Sequence, residues 1–339
     1  MKFSKRHVIS LFVVVVVAFF LATYKLPYYI YKPGGADALE AIVKVDDGYE
    51  SEGDMHLVTV GGLQATPVQF VWAKLKSHQE IVPLSDVRPE GVTEEQYMHA
   101  QLQMMESSQE KSTVVAYEAA DADISITFDG VYVVNVIKDM PADGILKMGD
   151  LITGIDGETI HEADDLIEYI EGMDAGDTVS LALERDGEDL TKDITLQAFK
   201  NDEDKVGVGI QLVTDRKVDV HPEVTFSSGK IGGPSAGLMF SLKIYDQLIE
   251  DDLTKGYQIA GTGEIDYEGN VYRIGGIDKK IIAADKEGCD IFFAPYEHGK
   301  ADSNYEVAKQ TAEEINSDMK VIPVDSFEEA LDYLENELQ

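Results

Sequence analysis

Basic side chains are scarce in this chain: 28 Lys and Arg stand against 64 Asp and Glu, a formal net charge of −36. Such a surface argues against a nucleic-acid partner, whose phosphates need lysine and arginine, and it would repel anionic lipid headgroups. Cysteine is nearly absent too. Cys289 stands alone, so no intramolecular disulfide can form and the redox compartment goes unmarked. No H-E-x-x-H pair occurs and the 7 histidines show no zinc spacing, so no metal is expected. Met98, Met104 and Met105 read as core packing rather than ligands. A G-x-x-x-x-G-K-[ST] loop is also missing, so the sequence offers no cradle for nucleotide phosphates and no cofactor is expected.

One long apolar run is present. Val8 to Tyr24 follows Lys2, Lys5 and Arg6, and its length and flanking charge predict a transmembrane segment with the N-terminus inside and the remaining chain outside. A secretory signal peptide begins the same way, but there is no clean A-x-A cleavage site. The cluster Tyr24, Tyr28, Tyr29 and Tyr31 fits an interfacial belt, which favours a retained anchor.

Chemistry concentrates in Gly232-Gly233-Pro234-Ser235-Ala236-Gly237 and in Ile274-Gly275-Gly276-Ile277-Asp278-Lys279-Lys280. A serine hydroxyl is a poor nucleophile at neutral pH and needs a base and an oxyanion stabiliser. Leu238, Leu242, Tyr245 and Ile249 recur at helical spacing, placing Ser235 at a helix N-terminus, where free N–H groups near Gly233, Pro234 and Ser235 can receive an anion. Ile277, Ile281 and Ala284 mark a second helix with Gly288 as its stop. Lys280 falls in its first turn, where the positive helix end and burial favour a neutral amine. Lys279 is expected to face solvent. The segment Gly233 to Gly237 also satisfies G-x-S-x-G, so a Ser-His-Asp hydrolase using Asp290 and His298 is the rival reading.

The serine and lysine segments resemble the proteolytic domain of the Lon family, with its GPSAG and GG-x-x-x-K motifs, from about Val220 to Pro295. The resemblance implies a Ser235/Lys280 dyad. It also implies that Thr262, in Thr262-Gly263-Glu264-Ile265, lies near the lysine. The acidic residue familiar three places before the serine is Gly232 here, so no carboxylate role carries over.

Between the anchor and these motifs the pattern changes. Val131–Val136 reads as a strand, Ala163–Met173 as an amphipathic helix, and Val179–Leu183 as a strand leading to an Asp186-Gly187 turn. Gly149-Asp150-Leu151-Ile152-Thr153-Gly154-Ile155-Asp156-Gly157 resembles the PDZ signature of bacterial proteases. Gly130-Val131-Tyr132-Val133 then falls at the place of that family's carboxylate-binding loop. The resemblance implies a peptide groove formed by Val131, Tyr132, Val133, Ile167 and Ile170.

Anchor, PDZ module and Lon-like domain in this order resemble the bacterial membrane-anchored, PDZ-containing Lon-like serine proteases. The expected fold is an α/β (α+β) Lon-type proteolytic domain with an inserted β-rich PDZ domain and one N-terminal transmembrane helix. Its expected divisions are an anchor over 1–35, the first part of the proteolytic fold over 36–119, the PDZ module over 120–198, and the dyad-bearing part over 199–339. The resemblance implies an ATP-independent serine endopeptidase on the outer face of the cell membrane. Its partners would be exported peptides or flexible protein segments, and a homo-oligomer is left open. An anchored adaptor with a non-catalytic Lon-like scaffold is the alternative from a different class.

Overall fold

The computed structural model describes residues 5–88, 91–199 and 202–338, so Lys2 lies outside the described residues. Two compact units divide the chain. One runs through Asp123 and resumes at Val220, and the other comprises Ile124–Asp219.

The first unit opens with α1 (Lys5–Thr23), an apolar helix long enough to cross a membrane, with none of its apolar window buried. Next come β1 (Tyr28–Ala38), β2 (Val43–Val45) and β3 (Asp54–Gln64). Helix α2 (Pro67–Ala73) starts at a capping box in which Thr66 accepts from the Gln69 N–H, with Pro67 set at the first helical position. Then follow β4 (Glu80–Pro83), the single turn α3 (Leu84–Val87) and α4 (Glu94–Ala119). Helix α4 begins at a capping box in which Thr93 accepts from the Gln96 N–H. Ser112–Tyr117 continues it because that stretch is buried, and packing overrides the weak helix propensity of Thr113, Val114 and Val115.

The second unit contains β5 (Asp123–Val136), β6 (Leu151–Ile155), β7 (Glu158–Thr159), α5 (Ala163–Glu171), β8 (Thr178–Arg185), β9 (Glu188–Thr195), β10 (Gln197–Phe199), β11 (Asp202–Gly207) and β12 (Ile210–His221). Asp186 and Gly187 both take positive φ, 55° and 80°, as a two-residue hairpin requires, and join β8 to β9 in register. The main sheet runs β12-β5-β6-β8-β9, with β7 on β6. Because β12 pairs with β5, the unit extends to Asp219, past the Ala198 boundary expected from the sequence. Ile152, Ile155, Leu166, Val179, Leu181 and Leu183 form its core. Beside that core, Arg185 grips Asp150 through two bonds of 2.6 Å and donates to the Ile145 carbonyl. Burial raises the Asp150 carboxyl pKa, but Arg185 and the Lys147 N–H outweigh it and leave the group below its ordinary value.

The first unit then resumes through β13 (Val224–Phe226), α6 (Gly237–Leu248), β14 (Gln258–Gly261), β15 (Glu264–Ile265), β16 (Val271–Tyr272), α7 (Ile277–Glu287), β17 (Ile291–Pro295), α8 (Asn304–Ile315), β18 (Lys320–Val324) and α9 (Phe327–Asp332). Its sheet order is β18-β17-β14-β3-β1-β4. The strands following α6, α7 and α8 pair in parallel, as crossover helices demand, whereas β3-β1-β4 pair antiparallel. The two halves meet where β3 runs parallel to β14, pairing Asp54 with Gln258 and Leu57 with Gly261. Ile277, Ile281, Ala284, Phe292 and Ala308 fill one core on this sheet. Ile277, Ile281 and Phe292 each contribute about 1.5–3 kcal/mol by burial, and the alanines, with a single methyl, contribute less.

Candidate active site

Ser235 sits two residues before α6, on a loop held from three sides. Ser108 of α4 donates to the Pro234 carbonyl at 3.0 Å, Ser112 donates to the Gly237 carbonyl at 2.9 Å, and the Gly263 N–H donates to the Ser235 carbonyl at 3.1 Å. Gly232 packs so closely on Gln101 that a Cβ there would lie 2.8 Å from the Gln101 Cβ. No side chain, acidic or otherwise, fits that position without displacing α4.

Lys280 reaches the same point from α7. This helix starts at Gly276, where φ is +71° and a Cβ would approach Val60 Cγ2 to 2.9 Å, so glycine sets both the turn and the close approach to β3. Lys280 Nζ donates to Ser235 Oγ at 2.8 Å and to Thr262 Oγ1 at 2.8 Å, while Thr262 Oγ1 donates to the Ser235 carbonyl at 2.9 Å. Ser235, Thr262 and Lys280 therefore meet in one hydrogen-bonded triangle. Thr262 is fully buried and Lys280 is 3% exposed. Burial alone moves the Lys280 amine from its ordinary value down to about 7, so a large neutral fraction exists near physiological pH.

Lys279 is not solvent-facing. It is also 3% exposed, with Nζ 2.7 Å from a Glu80 carboxylate oxygen and 3.0 Å from one on Asp278. Burial pulls its pKa down, but Glu80 and then Asp278 outweigh that effect and hold it above the usual lysine value. The partner that would have revealed this burial, Glu80, is remote in sequence. Of the three methionines read as core, only Met105 is buried, whereas Met98 and Met104 are 44% and 47% exposed. Met98 borders an open cleft instead of a packed neighbour.

A cleft of about 720 Å³ opens over the triangle. Its lining includes Tyr29 and Tyr31 from β1, Tyr97 and Gln101 from α4, and Glu80, together with Gly233, Pro234, Ser235 and Lys280. Of the expected anion donors from Gly233 to Ser235, two drop out: the Gly233 N–H is taken by the Gln101 carbonyl at 2.8 Å, and Pro234 has no N–H. Among the described residues the N–H groups of Gly232, Ser235 and Ala236 have no main-chain acceptor, and of these the Ser235 N–H belongs to the nucleophile itself. The Ser-His-Asp alternative fails on geometry. His298 is 90% exposed and its Nδ1 lies 3.0 Å from Asp325, while Asp290 accepts from the Gln258 N–H, and neither lines the cleft.

The second unit has its own groove, of about 440 Å³, between α5 and the segment from β11 into β12. Ile167 and Ile170 line it as expected, opposite Val206, Val208, Ile210 and Leu212. Val131 and Val133 do not. They are 0% and 1% exposed in the core, and Tyr132, at 37% exposed, is not among the lining residues. Strand β5 lies between β12 and β6, so both its edges are already paired, whereas β12 ends the sheet order beside α5. The loop at the head of the groove is Gly207-Val208-Gly209-Ile210.

Residues 97–196 match the family model of a PDZ domain, and residues 187–336 match that of the Lon protease (S16) C-terminal proteolytic domain. These contiguous matches overlap and cross the structural boundaries at 123 and 219, because the first unit is discontinuous in sequence. Among curated proteins, Lon protease of Campylobacter jejuni is 33% identical over 138 residues, covering 39% of this chain and 17% of that protein. Lon protease of Campylobacter concisus is 34% identical over 116 residues, covering 34% of this chain and 14% of that protein. The chain thus spans less than a fifth of the length of these relatives. Among solved structures, the PDZ domain of an SdrC-like protein from Listeria monocytogenes is 40% identical, covering 26% of this chain and 93% of that one, with a TM-score of 0.25. The chain combines a PDZ domain with a proteolytic domain of the Lon type, that of the S16 serine peptidases.

Proposed function

We propose that this protein is a membrane-anchored serine endopeptidase that works without ATP through a Ser235/Lys280 dyad. The observation carrying this reading is the 2.8 Å contact between a serine hydroxyl and a buried lysine whose pKa is lowered to about 7. In its neutral form Lys280 accepts the Ser235 hydroxyl proton as Oγ attacks the scissile carbonyl carbon. The carbonyl oxygen becomes an oxyanion that the Ser235 N–H faces. As the tetrahedral intermediate collapses, the C–N bond breaks, and Lys280 returns the proton to the leaving amine. An ester remains on Ser235. Water, deprotonated by the same amine, then attacks that ester and releases the acid. Thr262 orients Lys280 by accepting one of its N–H groups.

The absence of a phosphate-binding loop from the sequence supports ATP independence and substrates that are already unfolded: exported peptides or flexible segments. The apolar α1, with Lys5 and Arg6 at its start, supports anchoring with the proteolytic unit outside the cell. The free edge of β12 beside Ile167 and Ile170 supports strand addition of an extended peptide, which would bring substrate to the enzyme. A non-catalytic adaptor would have no need for an amine held at 2.8 Å from a serine Oγ, and that contact favours the protease.

The test is cleavage of a fluorogenic unstructured peptide by the purified chain, compared with Ser235→Ala and Lys280→Ala. Cleavage lost in both variants, with unchanged circular dichroism, is the expected result. Near-normal cleavage by either variant would refute the dyad, and an absolute need for ATP would refute the motor-free mechanism.

A further inference from the structure

Helix α2 is apolar on two sides. Its inner side packs Phe70 and Ala73 with Ile30, Ala65 and Leu63. On the other lie Val68, Val71 and Trp72, joined by Leu75 from the turn that follows the helix, and these four are 53%, 60%, 58% and 77% exposed. A helix of this pattern requires a second non-aqueous neighbour.

The neighbourhood names that neighbour. The end of α1 contacts α2, and the linker between them is tied down: the Leu26 N–H donates to the Ala65 carbonyl at 2.8 Å, and Lys25 Nζ donates to the Gln64 carbonyl at 3.2 Å. The rings of Tyr28 and Phe70 meet at a tilt of 52° with centroids 5.0 Å apart. The amines of Lys74 and Lys76 lie 4.9 Å and 5.2 Å from the ring centres of Phe70 and Trp72, which puts two positive charges against the apolar surface at the end of this helix. Charge shows the same bias. In a chain with 64 acidic residues, no Asp or Glu occurs from Met1 to Ala36 or from Met55 to Gln79. The repulsion that the net charge of −36 imposes on anionic lipid is thus lifted at this one surface, where lysine remains.

We propose that the outer side of α2, Val68, Val71, Trp72 and Leu75 with Lys74 and Lys76, lies in the headgroup region of the same bilayer that α1 crosses, as a second membrane contact. This rests on the anchoring reading above. An interfacial helix buries its apolar side about 5–10 Å into the headgroup and acyl boundary. Two attachments would fix the tilt of the first unit on the membrane, where α1 alone would leave it free to swivel.

Trp72 is the only tryptophan, so its fluorescence reports this patch directly. The full chain is reconstituted into vesicles of phosphatidylcholine and phosphatidylglycerol, with and without acyl-brominated phosphatidylcholine. Flotation on a density gradient tests anchoring separately. The expected result is co-flotation, with Trp72 quenched several-fold by brominated lipid and shielded from aqueous acrylamide. A Val71→Glu/Leu75→Glu variant should float through α1 but lose the lipid quenching. Lys74→Glu/Lys76→Glu leaves both apolar sides of α2 intact and should weaken the quenching in vesicles containing phosphatidylglycerol more than in pure phosphatidylcholine. A chain that floats while its Trp72 stays open to acrylamide and unquenched by lipid overturns the proposal alone. A Trp72 shielded from both quenchers also overturns it, since a protein surface would then cover the patch. Failure to float refutes the anchoring reading and this contact together.

Discussion

Lys279 and Lys280 are consecutive in α7 and equally buried, at 3% exposure each, yet their amines are driven in opposite directions. Lys279 faces two carboxylates and stays charged; Lys280 faces two hydroxyls and is lowered to about 7. Burial is common to both, so the neighbours decide which lysine can act as base. Lys280→Arg should abolish cleavage, because a guanidinium remains protonated, whereas Lys279→Arg can keep its carboxylate pairs and should retain measurable turnover. Initial rates on a short peptide check both.

The pH profile follows from the same shift. If Lys280 is the general base it acts only when deprotonated, so kcat/KM should rise with pH through a midpoint near 7 and reach a plateau above it. The linkage sign agrees. With the folded pKa below the unfolded value, the unfolded state binds more protons between about 7 and the ordinary lysine value, so stability rises with pH across that window, by at most about 1.4 kcal/mol per unit. Lys280→Met removes the buried amine and should be inactive yet more stable than the parent at pH 7, by ~1–3 kcal/mol in urea titration.

Thr262→Val deletes one acceptor of the lysine N–H and the bond to the Ser235 carbonyl. Turnover should fall about 10–100-fold. Losing a group that favours the charged amine should also move the midpoint of the pH profile downward, a change that general loosening of the fold would not produce.

Gly276→Ala should destabilise the first unit by ~1–3 kcal/mol, since the new Cβ meets Val60 Cγ2 at 2.9 Å in a left-handed backbone conformation. Because this residue launches α7, the thermal shift should come with reduced kcat and little change in KM.

In the second unit, Ile167→Asp should weaken binding of an extended apolar peptide while leaving the melting temperature nearly unchanged, because Ile167 lines the groove from an exposed position. Val133→Asp should unfold the unit instead, because it places a carboxylate in a core position that is 1% exposed. Isothermal titration and thermal melts on the two variants separate these outcomes.

The contrast at the groove shows what was legible in the sequence and what was not. Ser235, Thr262 and Lys280 could be read because each sits in a compact motif at a helix or strand end. The groove could not be placed from motifs alone, since Gly130-Val131-Tyr132-Val133 and Gly207-Val208-Gly209-Ile210 both offer glycine followed by apolar residues at the head of a strand. Only the strand order, with β5 inside and β12 at the edge, distinguishes them. Burial of Lys279 and capture of the Gly233 N–H depend on Glu80 and Gln101, and pairings between remote segments leave no local pattern.

The β3–β14 pairing also has a consequence for biosynthesis. His56 and Gln258, which bond across it at 2.7 Å, are 202 residues apart. Throughout the time the ribosome spends between them, the N-terminal strands have no partner for the edge that β14 will occupy, and neither Lys280 nor its helix yet exists. At roughly 5–20 residues per second that interval lasts about 10–40 s. If Ser235 and Lys280 form the dyad, the nascent chain is therefore chemically silent until Lys280 and the helix that carries it have been made. Its own unfolded segments, and those of chains emerging beside it, are out of danger from it until then.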